Sequence, residues 1–211
     1  MNPPAASSNS PGAIHSAPHP DSSEAATVAL QALDRLLENV AELISNIDDD
    51  LYRNIEDRVF RSSPGGHIRH TLDHIQALIA GLDSEAGLIC YDRRRRGTDV
   101  ENDRGVCLTA IRGLRLRLGE WLQQATGDQD DPGNLPLQAG GFDPARLVQV
   151  EQIVTPDRDP ILLESNALRE LVFVFHHSIH HAASLAARLR SAGLAVPESF
   201  GVAPATLAAN R

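Results

Sequence analysis

The sequence predicts an all-α fold, a four-helix bundle with a small β-hairpin in the connection before the last long helix. Three observations predict it. Four stretches carry apolar residues at i, i+3 and i+4, the spacing of a helix with one buried face. Clusters of Gly, Pro, Ser and Asp punctuate the chain between them. Around residues 147–163 the apolar period shortens towards two, as a half-buried strand requires. With 211 residues, 42% of them apolar, the chain can enclose one full core and suits one domain better than two.

Residues 1–23 are rich in Pro, Ser and Ala and lack an apolar core, so they are expected to form a disordered leader rather than a signal peptide. Residues 24–211 are expected to form the single domain. Helix one runs from Ser23 to near Asp49 on Val28, Leu30, Leu33, Leu36, Leu37, Val40, Leu43, Ile44 and Ile47. SSPGG precedes helix two, which spans about Gly66 to Ala80 on Ile68, Leu72, Ile75, Leu78 and Ile79, with Gly81 as its stop. An irregular segment containing YDRRRRGT leads to helix three, roughly Glu101 to Ala125, with Val106, Leu108, Ile111, Leu114, Leu118, Trp121 and Leu122 facing inwards. Thr126 to Gly141 reads as a loop. Leu147 to Val154 and Ile161 to Leu163, joined by TPDRDP, make the hairpin. Helix four starts at an N-cap of Ser165 or Asn166, continues to about Ala192 and closes at Gly193 and Pro197.

Charge and composition exclude several functions. A net charge of -9 and a pI near 5.4 argue against a nucleic-acid surface. All nineteen basic residues are arginine. Without a lysine there is neither a Schiff base nor the lysine of a P-loop. No apolar run approaches the roughly 20 residues of a membrane span, so no membrane partner is expected. Cys90 and Cys107 lack CxxC spacing and disulfide-scaffold density, which points to packed thiols in a reducing compartment, the cytoplasm.

Seven of the nine histidines fall into two clusters: His67, His70 and His74 in GGHIRHTLDH, and His176, His177, His180 and His181 in FHHSIHH. A single histidine is more often an ordinary hydrogen-bonding residue. Two clusters at one-turn spacing are a metal-binding pattern, because i and i+4 imidazoles share one helix face. On helix four, phase chooses between the two pairs: His177 and His181 share the side of Val174 and Leu185. On helix two, spacing alone leaves His67, His70 and His74 open. Three histidines leave coordination positions for water or substrate, and Zn, Ni, Fe or Mn would suit them. Asp73 and Glu170 could accept from the imidazole N–H groups, but carboxylates on a helix are more often solvated, and both are read as solvated. The run Arg93 to Arg96 is read as solvated or paired with Asp92, Asp99 and Glu101.

The segments SSPGGHIRHTLDH, YDRRRRGT with Glu101, LRELVFVFHHSIHH and the tail VPESFGVAPATL together resemble the DinB-like (DinB/YfiT) superfamily. The resemblance covers about residues 30 to 207. It implies a four-helix bundle of DinB/YfiT-like topology and a metal held by His70, His177 and His181. The doubled His176 departs from the family's commoner small or polar residue. Family members include enzymes that use low-molecular-weight thiols. The resemblance therefore implies a metal-dependent transferase or hydrolase that activates a thiol or water for attack on a small electrophile. His180 or His74 would be its proton-shuttling catalytic residue. The alternative is a non-catalytic metal-binding or interaction bundle. A homodimer through a bundle face would fit either.

Overall fold

A computed structural model of the chain describes residues 21–54, 62–93, 97–126 and 141–209. Most of the expected leader with His15 and His19, Arg94 to Arg96, and nearly all of the expected loop of residues 126–141 lie outside the described residues. The chain is mostly helical with a small three-stranded sheet.

Helix α1 (Ser22–Ser45) begins inside the expected leader, because the Asp21 carboxylate accepts the Glu24 N–H at 2.7 Å and caps it. Its buried face is Ala26, Leu30, Leu33, Leu37, Val40 and Ile44. The helix stops before the expected Asp49. Asp48 instead caps a separate short helix, α2 (Asp49–Arg53), by accepting the Leu51 N–H at 2.7 Å. Arg104 donates to the Ile44, Ser45 and Ile47 carbonyls, which satisfies acceptors that the end of α1 leaves open.

Helix α3 (Pro64–Asp83) starts two residues before the expected Gly66, with Ser63 as cap and Pro64 in the first turn, where its missing N–H costs nothing. It also continues past Gly81. A Cβ at Gly81 would collide with Ile89 and the Leu88 carbonyl. This glycine is therefore the point where strand β1 (Leu88–Cys90) crosses the helix, and not a stop.

Strand β1 lies in a segment expected to be irregular. The hairpin of β2 (Leu147–Gln152) and β3 (Ile161–Asn166) is present as expected, and β1 adds to it in parallel. Ile89 pairs with Val150, and Val150 with Leu163. Ile89, Val148 and Val150 are buried. The expected third helix is divided: α4 (Asp99–Asn102) ends at Asp103, whose carboxylate accepts the Val106 N–H at 3.0 Å and starts α5 (Arg104–Thr126) afresh. Ile111, Leu114, Leu118 and Trp121 are buried along α5, whereas Val106 is exposed.

Helix α6 (Ala167–Ser191) is capped by Asn166, which accepts the Arg169 N–H at 2.9 Å. A short α7 (Pro204–Ala209) ends the described chain. α1 packs on α5 and α6, and α3 packs on α6 and β1. Arg115 of α5 forks across two oxygens of Asp34 on α1, at 2.8 and 3.1 Å. Among the described residues no helix is long and apolar enough to cross a membrane.

Candidate metal centre

Helices α3 and α6 each bring histidines to their common interface. On α3 the buried stripe of Ile68, Thr71, Leu72 and Ile75 carries His74 with it, only 3% exposed, while His67 and His70 sit half-buried at its edge. On α6 the buried positions Val174, Ser178, Ala182 and Leu185 leave His177 and His181 half-buried on one side. His176 and His180 are exposed. A rotation of 100° per residue separates the two pairs, as the phase of the apolar stripe predicts.

His70, His177 and His181 converge, with ligand atoms within 4.8 Å of one another. The Nε2 atom of His177 is 3.3 Å from Nε2 of His70 and 3.1 Å from Nε2 of His181. A neutral imidazole has one N–H and one in-plane lone pair, so one Nε2 atom cannot satisfy two such neighbours well. Nitrogens sharing one tetrahedral ion at about 2.0–2.1 Å stand about 3.3 Å apart, so this donor set fits a divalent transition metal. Nδ1 of His181 is buried without a hydrogen-bond partner among the described residues.

Burial is the largest cause that lowers the His181 pKa from 6.5 to about 3, followed by the neighbouring His177, His67, His180 and His74. Its ring is consequently neutral near pH 7, the form that donates to a metal. Burial, and then Arg188 and His180, lower the pKa of His67 in the same direction. The His67 ring lies 6.0 Å from that of His181.

Around the three lies an aromatic wall. His74 stacks on His177, with centroids 4.0 Å apart, and on Tyr91 at 5.3 Å. Its Nδ1 is 3.0 Å from the His70 carbonyl oxygen, which requires a proton on that nitrogen. Phe173 lies against both Tyr91 and His177. Tyr91 and Phe173 were not singled out by their sequence positions, although Tyr91 opens the YDRRRRGT motif and Phe173 precedes His177 by one turn.

Other sequence-predicted contributors are placed differently. Glu170, fully buried, accepts from the Tyr91 hydroxyl at 2.9 Å, the Ser165 hydroxyl at 2.6 Å and Arg169 at 2.6 Å rather than from an imidazole. Asp73 pairs with Arg69, which also contacts Glu101. Arg93 is solvated and ion-paired, as expected of the run, but its partner is Glu151, at 3.2 Å, rather than Asp92, Asp99 or Glu101. Both cysteines are free; Cys107 is buried and Cys90 donates to Glu151.

No family model and no solved structure match the chain. FK506-binding protein 5 of Rhizopus delemar is 32% identical over 117 residues, which make up 56% of this chain and 26% of that protein. The chain thus spans about a quarter of the length of the curated relative it matches.

Proposed function

We propose that this protein is a DinB-like four-helix bundle that binds a divalent transition metal through His70, His177 and His181. One observation carries the reading: three imidazole ligands from two helices meet with two Nε2–Nε2 separations of 3.1 and 3.3 Å. Zn, Ni, Fe and Mn all suit an imidazole set. A bound divalent ion lowers the pKa of a coordinated thiol or water, so that a nucleophile exists near neutral pH without a dedicated base.

The chain's own residues supply the rest of the site. His181 is held neutral and ready to donate by its burial and by the neighbouring histidines. The proton-shuttling role falls to His180 or His74 in this reading, and the exposure of His180 beside His181, with ring centroids 5.4 Å apart, supports the former. The reaction class is transfer of a low-molecular-weight thiol, or of water, to a small electrophile in the cytoplasm. The homodimer belongs to the same proposal.

Elemental analysis of the purified, untagged full chain by mass spectrometry tests this, with wild type beside the triple variant of His70, His177 and His181 to Ala. Near-stoichiometric metal in the wild type alone supports the reading. A wild type that neither carries metal nor takes up Zn, Ni or Mn overturns it.

A second reading is a non-catalytic clamp in which His74 or His67 closes the site and pins α3 to α6; the His74 ring lies 4.0 Å from that of His177 and the His67 ring 6.0 Å from that of His181. That clamp predicts a large loss of stability on chelation and no exchangeable water.

A further inference from the structure

We propose that His74 is a positioning residue. Its ring, held between Tyr91 and His177 in a column anchored on the buried Glu170 carboxylate, sets the orientation of the His177 imidazole. The inference rests on the reading that His177 is a metal ligand.

The column is continuous. Glu170 is 0% exposed, and its carboxylate is held by Ser165 and Arg169 as well as by the Tyr91 hydroxyl. The Tyr91 ring lies nearly parallel to that of His74, at 10° and 5.3 Å, and His74 nearly parallel to His177, at 28° and 4.0 Å. His70 meets the same His74 ring edge-on at 4.5 Å and 86°. One flat side chain thus touches two candidate ligands, one by its face and one by its edge. It is also tied to the His70 backbone through Nδ1.

Rotation of the His177 ring about its side-chain torsions has to push against this column. Glu170 sits at the start of α6 and Tyr91 just beyond β1, so the stack transmits the position of the sheet edge to the metal ligands. A ligand locked by its neighbours binds with less loss of side-chain entropy than one that must first be ordered. Groups in this supporting role change metal affinity by about 10–100-fold when removed.

The test is titration of the metal-free full chain with Co(II), which reports both affinity and coordination geometry through its visible absorption bands. His74→Asn keeps an N–H near the place of Nδ1 but removes the ring. His74→Phe keeps the ring but removes that N–H. If ring stacking positions His177, the Asn variant loses about 10–100-fold in Co(II) affinity with shifted visible bands, and the Phe variant recovers both. Circular dichroism establishes that each variant is folded. Should His74→Asn fail to fold, Tyr91→Leu, which keeps every histidine, is expected to show the same loss in smaller degree.

Wild-type affinity and bands in a folded His74→Asn, or in Tyr91→Leu where that variant decides, overturn the positioning role and leave the metal reading standing. A wild type that takes up no Co(II) overturns the metal reading and this inference with it.

Discussion

The Nε2 atoms of His70 and His177 lie 3.3 Å apart although 107 residues separate them in the chain. The contact bridges α3 and α6, and His181 extends it by one helical turn to 3.1 Å from His177. His177 is thus the shared member of both contacts.

Because His177 is central, His177→Ala is expected to lose metal almost completely, measured by elemental analysis. His176→Ala and His180→Ala should retain it, since both side chains are exposed on another face of α6. Loss of metal in His176→Ala with retention in His177→Ala would mean that the ligand register is shifted by one residue.

Acid should destabilise the metal-free chain in a defined window. His181 titrates near 6.5 when unfolded and at about 3 when folded, so between these values the unfolded state binds the extra proton. Stability therefore falls as pH falls below about 6.5, and this group contributes no slope above it. His67, lowered for the same reason, acts with the same sign. Urea midpoints at pH 7.5 and pH 5 are expected to show the drop, and His181→Gln a smaller one. Equal slopes in wild type and variant would remove His181 as its source.

At Gly81 α3 lies close against β1, and a methyl group there meets Ile89 and the Leu88 carbonyl. Gly81→Ala is expected to cost about 1–3 kcal/mol through overpacking, despite the higher helix propensity of alanine. Chemical denaturation gives the value. A stabilised variant would show that the strand can yield.

Cys107 is buried, and burial raises its pKa to about 11, so its thiol is both hidden and protonated near neutral pH. A thiol-specific disulfide reagent at pH 8 is expected to spare Cys107 in the native protein and to modify it only in urea. Cys90, half-buried with a raised pKa, should react slowly but without unfolding. Rapid native labelling of Cys107 would contradict its place in the core.

The long helices and the α6 pair were legible because their signals are local. The apolar stripe from Val174 to Leu185 dictates which side of α6 meets the protein, and that phase alone separates His177 and His181 from His176 and His180. The cap at Asn166 likewise acts within three residues, through Arg169, whereas the equally local cap at Ser63 is missing from the sequence reading, which starts the helix at Gly66. Local signals were misread where two structures share one pattern. Gly81 reads as a helix stop until Ile89 is seen against it, and Glu101 reads as the start of a helix that Asp103 restarts.

By itself the sequence determined the apolar helical faces, the histidine pair on α6, the hairpin and the absence of lysine chemistry, because each depends on residues a few positions apart. Only the tertiary structure decided that β1 pairs in parallel with a strand far along the chain. It also turned Nε2 of His70 towards Nε2 of His177, where spacing alone leaves His67, His70 and His74 open, and buried Tyr91 against Glu170. These relations span 61 to 107 residues in sequence, counted for Cys90 to Glu151, Tyr91 to Glu170 and His70 to His177. No local periodicity encodes them; they follow from how side chains from distant elements fill one core.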